Sequence, residues 1–234
     1  MNTGKPLVNF ESYIPKILEQ LGDKKIRISS NAKSQINSFI NCLAKHIAEK
    51  ASFISNSSMT NSSSKAEQQN TKKSHTITLK DITSTSQIIL GQELSAYGDK
   101  NATKALNSYK TKKNTGTKLE KISRNKKANL MLSISKTETI LRTYHCGNIA
   151  ELAPIYLAAI LEYVTAEILE LSSNAVRDSR KHTISSRHLL LVIQYDYPLE
   201  RLLRKINWTI VGGGVIPYIA LSLLPKKKEK KVKI

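Results

Sequence analysis

The residue types that perform catalysis or bind metals occur in this 234-residue chain, but their spacing matches no known site. The glycine run Gly212 to Gly214 could cradle a phosphate. However, no Lys-Ser or Lys-Thr pair follows it and no strand pattern precedes it, so we interpret it as a bend. The five histidines share no ligand spacing with Asp, Glu or the two cysteines, Cys42 and Cys146. We therefore expect no catalytic residue, no metal site and no cofactor.

Net charge is the property that most restricts the function. Lys and Arg number 37 against 18 Asp and Glu, which gives a formal charge of +19. This excess predicts a polyanionic partner, with nucleic acid ahead of an anionic membrane surface. Met1 to Ser12 contains no apolar segment of a secretion signal, and glycine and proline interrupt the apolar stretch Ile206 to Pro225. We expect an intracellular protein that does not span a membrane.

Hydrophobic periodicity predicts an all-α fold in which the two halves repeat one architecture. Long helices are predicted over residues 32–55 and 150–178, each with apolar side chains at steps of three or four. Shorter helices are predicted over 13–21, 79–90, 92–109, 134–144 and 186–195. Each half therefore places a long helix between shorter ones.

The second long helix also carries carboxylates away from its apolar stripe. Glu162, Glu167 and Glu170 fall in an arc separate from the apolar residues. These three acids would repel DNA phosphates. They predict either a solvated acidic face or a docking patch for a basic partner.

The second half resembles histone 2A over roughly residues 123 to 227. The resemblance is strongest in the stretch that matches the long central helix of that family, Ala153–Leu171, and it continues through Asn174–Asp178 and Arg187–Leu189. Gly213–Ile219, followed by Leu224–Lys226, resembles the docking tail of the family. This run of matches is specific.

The first half resembles histone 2B over roughly residues 10 to 112, with a moderately specific match. The matching stretches include Tyr13–Gln20, Ile28–Ser30, Ile36–Asn41, Thr76–Thr78 and Thr103–Ala105. A 2B-like half followed by a 2A-like half resembles the fused histone doublets of giant viruses, of the marseillevirus type. The resemblance implies two tandem histone folds paired intramolecularly in a handshake, with a C-terminal docking tail.

The resemblance also divides the chain into segments. It implies a 2B-like fold over 1–110 with a polar insert over 56–73, a basic linker over 111–122, a 2A-like fold over 123–205, a docking segment over 206–225 and a basic tail over 226–234. A tether of this length would hold the halves at an effective concentration on the order of mM. The two halves are therefore expected to fold as one unit.

The function implied by the resemblance is structural packaging of DNA, as the core of a nucleosome-like particle that wraps viral DNA without sequence specificity. Its expected partners are double-stranded DNA, a viral doublet of the histone 4–3 type and further copies of the chain. Its expected location is the virion and either a viral factory or the host nucleus. Two alternatives stay open at this point: a histone-fold subunit of a transcription factor and a general polyanion binder.

The family pattern assigns roles to particular residues. The DNA-binding positions are Ile28, Ser29, Ser30, Lys72, Lys73, His75, Thr76, Arg124, Lys126, Lys127, Lys136, Arg142, Arg177, Arg180, Lys181 and Thr183. The acidic patch is Glu93, Glu162, Glu167, Glu170 and Asp196. The residues for docking to partner histones are Gly213, Gly214, Val215, Ile216, Pro217, Tyr218 and Ile219.

The chain also departs from the family pattern. Ser74, Thr183 and a position near Asn148 lack the expected loop arginines, which predicts a particle that dissociates at lower salt than a cellular nucleosome. Tyr197, Pro198 and Asn101 stand where the family carries acids. We therefore expect a narrower acidic patch that binds cellular chromatin readers weakly.

Overall fold

The computed structural model describes residues 7–22, 25–57, 76–114 and 122–214. Its helices are α1 (Ile14–Gln20), α2 (Ser30–Ser57), α3 (Leu79–Asn114), α4 (Arg124–Ala128), α5 (Ile134–Tyr144), α6 (Ala153–Asp178), α7 (Ser186–Tyr195) and α8 (Tyr197–Lys205). Its strands are β1 (Arg27–Ile28), β2 (Thr76–Ile77), β3 (Asn148–Ile149) and β4 (Thr183–Ile184). Among these described helices, none has both the length and the hydropathy that crossing a membrane requires.

The two long helices form where the apolar stripes predicted them. In α2 the buried residues include Ile36, Ile40, Leu43 and Ile47, which recur at steps of three or four and so share one face. Helix α6 begins three residues later than expected, and Pro154 lies in its first turn, where the missing amide proton costs nothing.

Helix α3 contains the break that the sequence predicted. Gly91 has φ +80° and ψ 177°, so it separates two helical segments, and a side chain there would be strained. The second segment runs to Asn114, four residues into the stretch expected to be linker. Contacts with the second half explain the extension, since the Tyr109 hydroxyl donates to Glu151 at 2.6 Å and Lys113 pairs with Glu151 at 2.7 Å. Residues 115–121 of the predicted linker, most of the 56–73 insert and the 226–234 tail lie outside the described residues.

Two short helices were not predicted from the sequence. Helix α4 is capped by Ser123, whose hydroxyl accepts the Lys126 amide, and it ends at Asn129 in the left-handed conformation. Helix α8 is capped by Asp196, which accepts the Leu199 amide at 2.8 Å. Both are too short to show a period, so only their caps could have indicated them.

Each strand pairs with a strand from the other half of the chain. Strand β1 pairs in parallel with β4, so that Arg27 lies opposite Thr183, and β2 pairs in parallel with β3, so that Thr76 lies opposite Asn148. Between the two pairs of strands, α2 and α3 pack against α5 and α6. Buried residues of both halves form one apolar core, in which the stripes of both long helices are covered.

Candidate nucleic-acid interface

The pairing of β1 with β4 brings cations from both halves to one edge of the molecule. The Arg27 amide donates to the His182 carbonyl at 2.8 Å, and the Ser29 amide donates to the Ile184 carbonyl at 2.9 Å. These bonds place the start of α2 beside the loop that follows α6. Beside this junction lies an open cavity of about 570 Å³.

Positive charge dominates the lining of this cavity. Its lining residues are Gly22, Lys25, Ile26, Arg177, Arg180, Lys181 and His182. No carboxylate is among them in the described part of the chain. Four cations around one opening complement a chain of phosphates, which attracts Lys and Arg without regard to base sequence.

The end of α6 explains why Arg180 projects at this edge. The Lys181 amide donates to Val176 and the Arg180 amide to Arg177, both at 2.9 Å, which closes the helix C-terminus. Arg180 adopts the left-handed conformation, with φ +54°, in which a non-glycine residue is strained. Strain of this kind concentrates at functional positions.

We expect Arg180→Gly to be more stable than Arg180→Ala by about 1 kcal/mol, because glycine removes the strain of the left-handed backbone. Both variants lose the same charge, so the difference between their free energies of unfolding isolates the cost of the left-handed backbone conformation. Urea denaturation of the full chain measures it. Equal free energies of unfolding would show that Arg180 bears no strain.

Among the described residues, the second strand pair, β2 with β3, is a weaker candidate site for DNA binding. The Ala150 amide donates to the Ile77 carbonyl at 2.9 Å, and Thr76 is exposed beside it. The Asp81 carboxylate accepts the Thr78 amide and hydroxyl, both at 2.8 Å, so a carboxylate already occupies the start of α3. Lys72, Lys73 and His75, which were predicted to bind DNA here, lie outside the described residues.

A second basic surface lies around α4 and α5, where ion pairs already engage its arginines. Arg124 contacts Glu138 at 2.6 Å and Arg142 contacts the same carboxylate at 2.7 Å. Hydrogen bonds from Arg124 and then from Arg142 lower the pKa of Glu138. The lysines here differ, because Lys126 is exposed, whereas Lys136 donates to the Asn9 carbonyl.

The predicted acidic residues do not all face the same surroundings. Glu162 is half-buried, and its carboxylate accepts the Met131 amide at 2.8 Å and the Leu132 amide at 2.7 Å. Burial raises its pKa, and the two backbone hydrogen bonds oppose that shift. Glu162 therefore holds the connection between α4 and α5 in place, a role that the helical arc did not reveal.

The remaining acids form a smaller cluster. The pKa of Glu167 is raised by burial and then by the negative charges of Glu170 and Asp196. Beside them, burial and the Glu167 carboxylate raise the pKa of Tyr163 to about 12. Glu93 is exposed on α3, and Tyr97, on the same helix, is 60% exposed.

Comparisons with known proteins identify the second half of the chain. Residues 199–233 match the family model described as the C-terminus of histone 2A. Histone 2A.2 of Lodderomyces elongisporus is 48% identical over 109 residues, which is 46% of this chain and 83% of that protein. The chain belongs to the histone 2A family. Family membership indicates a structural DNA-packaging role with histone partners, and it argues against an enzyme.

In this chain of the histone 2A family, the start of the docking segment folds back onto both halves. Gln35 of α2 donates to the Val211 carbonyl at 2.9 Å, and the Trp208 indole donates to the Ser38 hydroxyl at 3.2 Å. The Arg187 guanidinium donates to the Gly213 carbonyl at 3.1 Å. A Cβ at Gly213 would lie 2.7 Å from Leu190 Cβ, so this contact requires glycine. Gly214, the next docking residue, is exposed and has φ +76°, whereas Val215, Ile216, Pro217, Tyr218 and Ile219 lie outside the described residues.

The structure of this histone 2A relative therefore sorts the described DNA-binding candidates into two basic surfaces, and Thr76 lies apart from both, at the second strand pair. Ile28, Ser29, Ser30, Arg177, Arg180, Lys181 and Thr183 lie at the edge formed by β1 and β4. Arg124, Lys126, Lys127, Lys136 and Arg142 lie around α4 and α5. Sequence reasoning missed Lys25, Arg27 and His182 at the first edge. Their signal was a basic residue at the start of a strand or within two residues before it.

Proposed function

We propose that the chain is a fused histone pair, 2B-like then 2A-like, that packages viral DNA as the core of a nucleosome-like particle. It binds the phosphate backbone and reads no base sequence. The observation that carries this proposal is the pairing of β1 with β4, which gathers Lys25, Arg177, Arg180 and Lys181 around one cavity. Neither half alone presents that set of cations.

The contacts between the halves support a handshake of two histone folds. Strands at both ends of the long helices pair across the halves, and the apolar stripes of α2 and α6 lie in one core. Separate chains would lose association entropy on pairing, whereas a covalent tether makes the pairing intramolecular.

This pairing predicts that thermal unfolding is independent of protein concentration. Because the covalent tether makes pairing of the halves intramolecular, dilution cannot separate them. We expect the same midpoint over a hundred-fold dilution when unfolding is followed by circular dichroism. A midpoint that falls strongly on dilution would mean that the core is completed by a second chain.

The proposed partner is a viral doublet of the histone 4–3 type, together with further copies of the chain in the particle. The family match over 199–233 supports this, because it covers the docking segment. Hydrogen bonds with Gln35, Ser38 and Arg187 anchor Trp208, Val211 and Gly213 at the start of that segment. Histone partners also fit a chromatin location, here in the virion and either a viral factory or the host nucleus.

Nuclease protection tests the proposal directly. The chain is mixed with DNA of random sequence, with and without a histone 4–3 type doublet, and digested. We expect a discrete protected length that requires both proteins. A smear in both mixtures would indicate coating of DNA, and protection of one sequence motif would favour a transcription-factor subunit.

We expect Glu138→Gln to strengthen DNA binding, because it releases Arg124 and Arg142 from their shared carboxylate. The plot of log affinity against log salt should steepen by about 1 for each released arginine that gains a phosphate contact. The matched control is Glu200→Gln, since Glu200 is 24% exposed and pairs with Arg204 at 2.7 Å, and Glu138 is 21% exposed. Equal slopes for the two variants would show that the α4–α5 surface does not contact DNA.

A further inference from the structure

His182 differs from the other described residues that line the β1–β4 cavity, because histidine can change its charge near neutral pH. Its backbone is fixed at this edge, since its carbonyl accepts the Arg27 amide at 2.8 Å. His182 is exposed, and Thr183, the residue that follows it, carries no charge. DNA bound along this edge therefore has access to the His182 ring.

The charged groups around His182 come from β1 and the segment before it, from the end of α6 and from the loop that follows α6. They are Lys25, Arg27, Arg177, Asp178, Arg180 and Lys181. Asp178 is the one carboxylate among them, and it does not line the cavity. Within the described lining, no carboxylate can pair with a protonated imidazole, so a countercharge must come from a ligand.

DNA phosphates provide that countercharge. A protonated imidazole donates hydrogen bonds from both ring nitrogens, whereas the neutral ring has one donor and one acceptor. Phosphate oxygens accept hydrogen bonds and carry negative charge, so they favour the protonated ring on both counts. Binding of DNA and binding of a proton therefore strengthen each other to the same extent.

We infer that the protonated His182 ring binds a DNA phosphate at the β1–β4 edge, so that the chain takes up a proton from solvent as it binds DNA. This inference rests on the proposed function, because it adds one phosphate contact to the same DNA-binding edge. The contact forms at mildly acidic pH and is lost as the pH rises through neutrality, since the neutral ring carries no charge. Acidification therefore tightens the binding of DNA at this edge.

The neighbouring His188 has the opposite dependence on pH. Its side chain is buried, and its Nδ1 accepts the Ser185 amide at 3.1 Å as part of the cap of α7. Burial and then the charge of Lys181 lower the pKa of His188. A proton on Nδ1 would break this hydrogen bond, so protonation of His188 would disturb the edge. Tighter DNA binding at acidic pH therefore does not come from His188.

Fluorescence anisotropy of a labelled duplex with the full chain tests this linkage at about pH 5.5 and about pH 7.5, on either side of the usual titration of histidine. We expect His182→Gln to lose about five-fold of the tightening that the unaltered chain gains on acidification, with a salt slope lower by about 0.9 at the acidic pH. At the higher pH the two proteins should bind alike. His182→Lys, which is charged at both pH values, should bind at the higher pH about as tightly as the unaltered chain does at the lower.

His46→Gln is the matched control, because it makes the same replacement away from the DNA-binding edge. His46 is half-buried on α2, its Nδ1 donates to the Cys42 carbonyl at 2.9 Å, and it lines no part of the β1–β4 cavity. This variant should keep the full dependence of DNA affinity on pH.

The outcomes separate the inference from the proposed function. If His182→Gln tightens on acidification as much as the unaltered chain does, the inference is wrong and the DNA-binding edge stands. Equal losses in His182→Gln and His46→Gln would also overturn it, because the effect would not belong to this edge. If the unaltered chain binds no DNA at either pH, the proposed function fails and the inference fails with it.

Discussion

Replacing Arg177, Arg180 and Lys181 together with alanine should lower DNA affinity and make it less sensitive to salt. These three cations line one cavity at the edge formed by β1 and β4, where no carboxylate is among the described lining residues. Each lost phosphate contact lowers the slope of log affinity against log salt by about 0.9, so the triple variant should lose about 3. Fluorescence anisotropy with a labelled duplex at several salt concentrations measures both quantities.

A matched triple variant separates this local effect from the loss of net charge. Lys100, Lys104 and Lys110 are exposed on α3 and line no part of that cavity. Their replacement by alanine removes the same charge, and we expect the slope to change by less than about 1. If the slope of log affinity against log salt decreases equally in both triple variants, DNA binding depends on overall charge and the β1–β4 edge has no special role.

Replacing Phe39 with alanine should destabilise the fold by about 3–5 kcal/mol, the usual cost of truncating a buried phenylalanine. Phe39 is 1% exposed, and its ring meets that of Trp208 edge-on at 5.4 Å. Truncation leaves a cavity beside α2 and removes the ring that packs against the Trp208 side chain. Urea denaturation followed by circular dichroism gives the free energy of unfolding, and Trp208 fluorescence reports the local change.

Phe53 provides a control on the same helix. Phe53 is 72% exposed, so Phe53→Ala removes a phenyl ring that faces solvent. We expect the free energy of unfolding to change by less than about 0.5 kcal/mol. Similar losses for both variants would mean that Phe53 is covered in solution. A loss below about 1 kcal/mol for Phe39→Ala would contradict its position in the core.

The helices could be predicted because their signals are local. The stripes of α2 and α6 recur every three or four residues, and Gly91 interrupts a helical pattern at the residue where α3 breaks. The charge of +19 indicated a polyanionic partner without any structure. The segments 153–178 and 213–219 also carried the histone 2A resemblance, which the comparisons support.

The functional surfaces were decided by contacts between residues far apart in the chain. Helical position placed Glu162 with Glu167 and Glu170, but its carboxylate bonds to amides about thirty residues earlier, at Met131 and Leu132. Likewise, the sequence shows Arg124 and Arg142 only as basic residues, whereas in the structure both form ion pairs with Glu138.

The sequence by itself determined the helices, the basic character and the family of the second half, because each depends on residue type and near spacing. The tertiary structure decided which cations share a surface. Arg27 lies opposite Thr183 only because β1 pairs with β4, and that pairing joins residues more than 150 positions apart. No local period encodes such a contact, since it depends on how two apolar stripes pack into one core.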